Sequence, residues 1–300
     1  MIQQDCAEIV VCLQNKLGES PVWCDDSQCL FWVDVARPGL LWRWHASSQV
    51  RNSWQFKVAL TNLTLAQGGR LLVASERRLF LFDPVSGTSE HGPDIPTLQL
   101  SHRFNDGACD SNGRLWIGTM ANNLIDRQAN GPVGKVGDIL CVTTEGKLFR
   151  FNEHLGCPNA LAWSPDGLTF YFADSADGCI YSSIFDVETG RYSKRCYFFS
   201  APSMGVPDGA AVDIEGYLWN ARWGAGCVVR IAPDGTLDRV VSVPATFVTS
   251  CVFGGSDHQT LYITTAKNCD MNPFAGSVFS YRTPTAGLPP GVFGRASHLG

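Results

Sequence analysis

Residues 161–175 read LAWSPDGLTFYFADS: a short apolar stretch leads into a Ser-Pro-Asp-Gly turn, and the turn leads into a strand rich in aromatic residues. The same arrangement recurs as ACDSNGRLWIGTM at 108–120 and AVDIEGYLWNARW at 211–223, with weaker copies at 22–35, 64–75 and 251–265. The copies continue into a second alternating apolar run. Alternation with a period of two between turn signals predicts antiparallel strands.

The repeat predicts the fold. Six copies follow one another at intervals of roughly 40 to 55 residues, which is the period of four-stranded propeller blades. We therefore expect an all-β, six-bladed β-propeller with a central channel, formed by residues 1–300 as a single domain. A β-sandwich would not explain a sixfold repeat, and α/β folds would require long amphipathic helix patterns. The run IVVCL at 9–13 is predicted to add an outer strand to the last blade and so close the ring.

Composition limits the possible partners and the compartment. The 300 residues are 45% hydrophobic and 17% charged, with a net charge of -5, which argues against nucleic acid or an anionic membrane as a partner. No run approaches the roughly 18 apolar residues of a membrane span. The 12 cysteines show no zinc-ligand spacing, and many lie in apolar runs, so we expect free thiols and a cytoplasmic protein. The oligomeric state stays open between a monomer and a weak homo-oligomer.

The register of the repeat identifies a ring of polar residues. Counting back seven positions from the turn of each copy reaches Glu19, Thr61, Asn105, Asn159, Asp208 and Ser250. Any one of these residues alone is more typical of a β-turn than of a binding site. Equivalent positions on the innermost strands of a propeller converge on its channel, however. The shared register therefore predicts a polar ring at the channel mouth.

Four members of this ring are suited to bind a metal ion. Glu19 and Asp208 supply carboxylate oxygens, and Asn105 and Asn159 supply amide oxygens. Such hard donors favour Ca²⁺, Mg²⁺ or Mn²⁺, and no histidine or cysteine falls in the ring. The sequence predicts one divalent ion at the mouth, and its identity stays open among Ca²⁺, Mg²⁺, Mn²⁺, Zn²⁺ and Fe²⁺.

The same residues carry a resemblance to a known family. The segments LGESPVW, RFNDGACD, CPNALAWSPDG, GVPDGAAVD and SCVFGG occur in this order around and after the ring residues. Together they resemble the family of regucalcin (senescence marker protein), gluconolactonase and the luciferin-regenerating enzyme, over nearly the whole chain. The resemblance implies a six-bladed propeller with one divalent cation. It also implies hydrolysis of a sugar lactone, such as glucono-, xylono- or galactonolactone, to the sugar acid.

The resemblance also divides the ring into roles. It implies metal ligation by Glu19, Asn159 and Asp208, and substrate contacts by Arg103, Asn105 and Asp106. Some family members carry a substrate-contacting glutamate shortly after a GTM motif, where this chain has Asn122 and Asn123. We expect Asn123 to contact the substrate in its place, and the loop at 121–135 to influence which lactone is preferred.

A chemical hypothesis follows for the expected reaction. A bound cation can polarise the lactone carbonyl and activate a water, and Asp208 is the candidate catalytic base. Arg103 can donate hydrogen bonds to hydroxyls or to the developing oxyanion. Two alternatives remain: a non-catalytic Ca²⁺-binding regulatory propeller, and a metal-dependent esterase or phosphotriesterase. A protein-interaction propeller fits poorly, because it predicts no inward carboxylates.

Overall fold

The computed structural model describes residues 3–93, 95–96, 98–124 and 134–295, and these form a six-bladed β-propeller. Two short strands come first, β1 (Gln3–Cys6) and β2 (Glu8–Val11). Blade 1 follows with β3 (Gly18–Cys24), β4 (Cys29–Asp34), β5 (Gly39–His45) and β6 (Arg51–Phe56). Blade 2 contains β7 (Leu60–Ala66), β8 (Arg70–Ser75), β9 (Leu79–Asp83) and β10 (Thr88–His91). Blade 3 contains β11 (His102–Cys109), β12 (Leu115–Ala121), β13 (Gly137–Val142) and β14 (Leu148–Leu155).

The second half of the chain repeats this plan. Blade 4 contains β15 (Pro158–Trp163), β16 (Thr169–Asp174), β17 (Cys179–Asp186), β18 (Arg191–Tyr192) and β19 (Cys196–Ser200). A single 3₁₀ turn, Pro202–Met204, precedes blade 5, which contains β20 (Val206–Val212), β21 (Leu218–Trp223), β22 (Cys227–Ile231) and β23 (Leu237–Ser242). Blade 6 contains β24 (Phe247–Gly254), β25 (Thr260–Ala266) and β26 (Val278–Arg282). A last short strand, β27 (Val292–Phe293), follows.

A recurring aspartate holds the turn that the sequence repeat identified. In blade 3, Asp110 accepts hydrogen bonds from the indole of Trp116 at 2.8 Å and from the guanidinium of Arg114 at 2.6 Å. In blade 5, Asp213 accepts from the indole of Trp219 at 2.9 Å. Both tryptophans are fully buried in the apolar layers between blades, so the buried indole N–H is satisfied while the ring packs.

Ring closure follows the prediction and extends it. Strand β2 pairs antiparallel with β26 and completes blade 6, which confirms the interpretation of residues 9–13. Strand β1, which the sequence did not predict, pairs parallel with β23 of blade 5. At the other end of the chain, β27 pairs parallel with the inner strand β7 of blade 2. The first two strands therefore join blades 5 and 6, and the last strand attaches the segment after blade 6 to blade 2.

Two further expectations can be compared with the structure. No helix in the described ranges is long and apolar enough to cross a membrane. All twelve cysteines are free thiols, and Cys109, Cys141 and Cys251 are buried among apolar side chains. The thiols thus behave as small hydrophobic groups of the blade packing.

Candidate metal and substrate site

Each of the six inner strands is interrupted by a β-bulge at or beside its ring position. The register shifts fall between Glu19 and Val22, Leu60 and Asn62, Phe104 and Gly107, Asn159 and Ala162, Pro207 and Ala210, and Val248 and Ser250. A bulge locally breaks the alternation of a strand and redirects side chains. The six positions that the sequence repeat identifies therefore lie at or beside irregularities of the backbone around the channel.

Two of these bulges contain backbone strain. Ser20, directly after Glu19, has a φ of 48°, and Ala160, directly after Asn159, has a φ of 57°. Residues other than glycine adopt this region rarely, and such strain clusters at functional sites. Both strained residues thus lie next to predicted metal ligands.

A chain of hydrogen bonds links the amide members of the ring across three blades. The Asn105 amide donates to Asn159 Oδ1 at 2.8 Å, and the Asn159 amide donates to Ser175 Oγ at 2.8 Å. The Ser175 hydroxyl in turn donates to the carbonyl oxygen of Pro207 at 2.6 Å, next to Asp208. The structure therefore brings Asn105, Asn159 and the backbone beside Asp208 together, as the register predicted.

Three carboxyl groups lie at the channel, and negative charges among them affect the pKa values of Glu19 and Asp208. Burial, reinforced by the negative charge of Asp106, raises the pKa of Glu19 from 4.5 to about 8. Burial, followed by the charges of Glu19 and Asp106, raises the pKa of Asp208 well above its usual range. Burial also raises the pKa of Asp106 to about 6, although three backbone N–H groups favour its ionised form.

Arg103 is the cation of this group. It is only 6% exposed, and its positive charge lowers the pKa of both Glu19 and Asp208, opposing the effect of burial. Its guanidinium donates to Asn105 Oδ1 at 2.7 Å and to Asn123 Oδ1 at 3.0 Å. Arg103, Asn105 and Asn123, three of the four predicted substrate contacts, therefore form one connected group.

The charges at the mouth fit a divalent cation. Glu19, Asp106 and Asp208 would carry three negative charges when ionised, and Arg103 carries one positive charge among them. A dication would balance the remainder and relieve the cost of ionising buried carboxyl groups. Within the described ranges, no three His, Cys, Asp or Glu side chains converge as a ready-made metal cluster. A donor set that included the predicted ligand Asn159 would add an amide oxygen, which in this structure accepts a hydrogen bond from Asn105.

Not every ring position faces the site. The hydroxyl of Thr61 donates to the carbonyl oxygen of Ser75 in its own blade. Asp106, together with Ser20 and Ser250, borders a cavity of about 380 Å³ in the channel. The segment 288–291 borders the same cavity. The acidic groups at the mouth and this cavity are thus adjoining parts of one channel.

The structure also adds residues that the sequence did not identify. Glu76 of blade 2 is 7% exposed and accepts a hydrogen bond from Arg37 Nε at 2.6 Å. Its negative charge raises the pKa of Arg103 and so opposes the effect of burial on that guanidinium. Asn122 donates a hydrogen bond to the same carboxylate. Glu76 stands outside the repeat register, so only the packing of blades 1 to 3 brings it to the mouth. Residues 125–133 of the predicted selectivity loop lie outside the described residues.

Comparisons with known proteins agree with this architecture. The family model for the SMP-30/gluconolactonase/LRE-like region matches residues 17–267. A pentonolactonase of Haloferax volcanii is 34% identical over 86% of this chain and 84% of its own, and a 6-deoxy-6-sulfogluconolactonase of Pseudomonas putida is 32% identical over 95% and 97%. The structure of regucalcin from Agrobacterium tumefaciens, a calcium-binding protein, superposes with a TM-score of 0.88 at 27% identity, covering 97% of this chain and 98% of that one.

Proposed function

The chain belongs to the SMP-30/gluconolactonase/LRE-like family, and we propose that it hydrolyses a sugar lactone to the sugar acid with one divalent metal ion. The observation that carries the proposal is the grouping of Glu19, Asp106 and Asp208 around the cation Arg103 in the channel. Desolvation and their neighbouring charges raise the pKa values of Glu19 and Asp208, as expected of carboxyl groups that lack a bound cation. Similar proteins with names that specify sugar lactones support the substrate class.

The chemistry can be assigned to groups at the mouth. Glu19, Asn159 and Asp208 would hold the metal ion, which when bound supplies carbonyl polarisation and a water of lowered pKa. Asp208 accepts the proton of the attacking water as the water oxygen bonds to the carbonyl carbon. The ring C–O bond of the lactone then breaks, and the same proton passes to the departing hydroxyl oxygen. Atoms and charge balance without a further reactant.

The polar group around Arg103 would orient the substrate. A guanidinium donates in a planar fork, and Arg103 is held by Asn105 and Asn123 so that its direction is fixed before substrate binds. Amide groups can serve as donor or acceptor to sugar hydroxyls. This favours a hydroxyl-rich lactone over the apolar ester or organophosphate of an esterase or phosphotriesterase.

A non-catalytic Ca²⁺-binding role is the second candidate, and the similarity to a calcium-binding regucalcin favours it. The two functions share the ligand set and differ in turnover. The experiment is to strip the protein with a chelator, restore Ca²⁺, Mg²⁺, Mn²⁺ or Zn²⁺ one at a time, and follow acid release from a panel of aldonolactones. Metal-dependent turnover supports the lactonase, and tight Ca²⁺ binding without turnover supports the regulator.

A matched pair of variants sharpens the test. We expect Asp208→Asn to lower turnover by at least about a hundredfold, the scale of a lost catalytic base. Asp257→Asn is the control, because Asp257 pairs with Arg282 on an exposed hairpin and should leave turnover unchanged. Near-normal turnover by the Asp208 variant with metal still bound would contradict the mechanism.

A further inference from the structure

Blade 5 contains an arginine that is completely buried. Arg222 on β21 has 0% exposure, and burial lowers the pKa of its guanidinium to about 10. No carboxylate forms an ion pair with it in the part of the chain that the structure describes. Burying an unpaired cation is costly, so hydrogen bonds have to compensate it.

Those hydrogen bonds converge on the segment that enters the site. The guanidinium donates to the carbonyl oxygens of Met204 at 2.9 Å, Gly205 at 2.9 Å and Ala201 at 3.2 Å. These residues surround the 3₁₀ turn that leads directly into β20, the strand that carries Asp208. Arg222 thus clamps the backbone immediately before the candidate catalytic base.

The remaining hydrogen bond of Arg222 connects it, through Asn220, to the backbone of Asp208. Its Nη1 donates to Asn220 Oδ1 at 3.1 Å, and Asn220 is likewise 0% exposed. The amide of Asn220 donates to the carbonyl oxygen of Asp208 at 2.8 Å and to that of Gly209 at 3.2 Å. Asn220 therefore joins the buried cation to the two bulge residues.

The strand pairing explains why these two carbonyls need such a partner. Strands β20 and β21 pair at Val206–Pro207 and resume at Ala210, so the ladder skips residues 208 and 209. A buried backbone carbonyl without a partner costs free energy, and the side chain of Asn220 replaces the missing ladder contact. Gly209 is also tightly confined, because a Cβ there would lie 2.1 Å from Ser250 Oγ.

From this geometry we infer that Arg222 and Asn220 are positioning residues, which fix the bulge and thereby the direction of the Asp208 carboxylate. The inference rests on the proposed role of Asp208 as a metal ligand and base. Neither side chain is among the groups proposed to contact the substrate or the metal. Their effect passes through the backbone of residues 208 and 209, as outer groups commonly orient the ligands of a metal.

The informative variant is Asn220→Asp. The new carboxylate keeps the acceptor for Arg222 and adds an ion pair, so the fold should persist, but it cannot donate to the Asp208 carbonyl. Through its charge alone, this carboxylate would strengthen cation binding. A weaker metal affinity would therefore report the lost hydrogen bonds.

Two measurements follow on the full chain. By titration calorimetry with Ca²⁺ and with Mn²⁺, we expect the Asn220→Asp variant to bind at least about tenfold more weakly, the scale on which outer groups act at metal sites. By amide hydrogen exchange on metal-free protein, we expect exchange in the segment 206–210 to accelerate at least about tenfold, while the variant still melts in one cooperative transition. Arg222→Lys, which keeps the charge but loses the planar fork, should change both readouts in the same direction.

Arg230→Lys is the matched control. Arg230 is also buried in blade 5, but its partners Asp213, Glu215 and Asp238 lie away from the bulge. This variant should lower the melting temperature and leave metal affinity within about twofold of wild type. Unchanged exchange in 206–210 for Asn220→Asp would overturn the inference. If the wild-type protein binds no metal and Asn220→Asp still accelerates exchange, the positioning role is supported and the proposed function is refuted.

Discussion

Metal binding should be strongly pH-dependent, because the candidate ligands bind protons in its absence. Burial and the neighbouring charge of Asp106 raise the pKa of Glu19 to about 8 in the metal-free protein. At pH 7 its carboxyl group is therefore about nine-tenths protonated, and a cation must displace that proton. Asp208, whose pKa is raised in the same direction, adds to the release.

The magnitude follows from this value. With a pKa of about 8, lowering the pH from 9 to 7 weakens cation binding by about tenfold through Glu19 alone. Any proton carried by Asp208 weakens it further. Titration calorimetry of metal-free protein with Ca²⁺, in buffers of different ionisation enthalpy, measures the affinity and the number of protons released. We expect about one or more protons released at pH 7, and fewer at pH 9.

The same protonation makes the stability of the metal-free fold depend on pH. Between pH 4.5 and about 8 the folded protein binds more protons at Glu19 than the unfolded chain does. The free energy of unfolding therefore falls as the pH rises through this range, by roughly 2 to 5 kcal/mol. Thermal melting of metal-free protein at pH 5, 7 and 9 should show the decline, and saturating Ca²⁺ should counter it at high pH.

Glu19→Gln is the control for both effects. Glutamine has no proton to release, so this variant should bind metal more weakly, release fewer protons and lose part of the pH dependence of melting. A Ca²⁺ affinity that is constant from pH 7 to 9, with no proton release, would refute the reasoning for the wild-type protein.

Three further predictions concern neighbouring features. Gly209→Ala should weaken metal binding and lower the free energy of unfolding by about 1–3 kcal/mol, because the new Cβ would clash with Ser250. Calorimetry measures the affinity and thermal melting measures the stability. Ser250→Gly should rescue both, whereas an unaltered affinity would contradict the clash. Asp110→Asn should destabilise the fold by about 3 kcal/mol, because it breaks the buried ion pair with Arg114. Metal affinity should stay unchanged. A large loss of affinity with normal melting would contradict this prediction. Asn123→Glu should place a carboxylate against Arg103 and change the order in which aldonolactones rank by kcat/KM. An unaltered order would argue that Asn123 does not contact the substrate.

The sequence predicted the part of the site that follows from repetition. Because each copy contributes one inner strand, equal positions meet at the axis, and the contact between Asn105 and Asn159 follows from their shared register. The bulges could not be predicted, since a bulge depends on how two strands pair and not on either strand alone. The place of Asp106 beside the cavity depends on such a bulge.

The sequence was misleading where both faces of a strand are covered. In YLWNARW the alternation of Trp219 and Ala221 with Asn220 and Arg222 is typical of one buried and one exposed face. In a propeller the strand next to the inner one is also covered on both faces, so Asn220 and Arg222 of β21 are buried as well. Glu76 was missed for a different reason, because its place beside Arg103 depends on contacts between blades.

The pairing of β2 with β26 has a consequence for how the protein is made. Residues 8–11 are synthesised roughly 270 residues before their partner strand at Val278–Arg282. At typical elongation rates this interval lasts roughly 15 to 60 s. During that time the apolar segment at 8–11 has no partner edge, and five blades can assemble only as an open arc. Factors that shield nascent chains should therefore matter more for this fold than its short-range turns suggest, because the ring of blades can close only after β26 has been made.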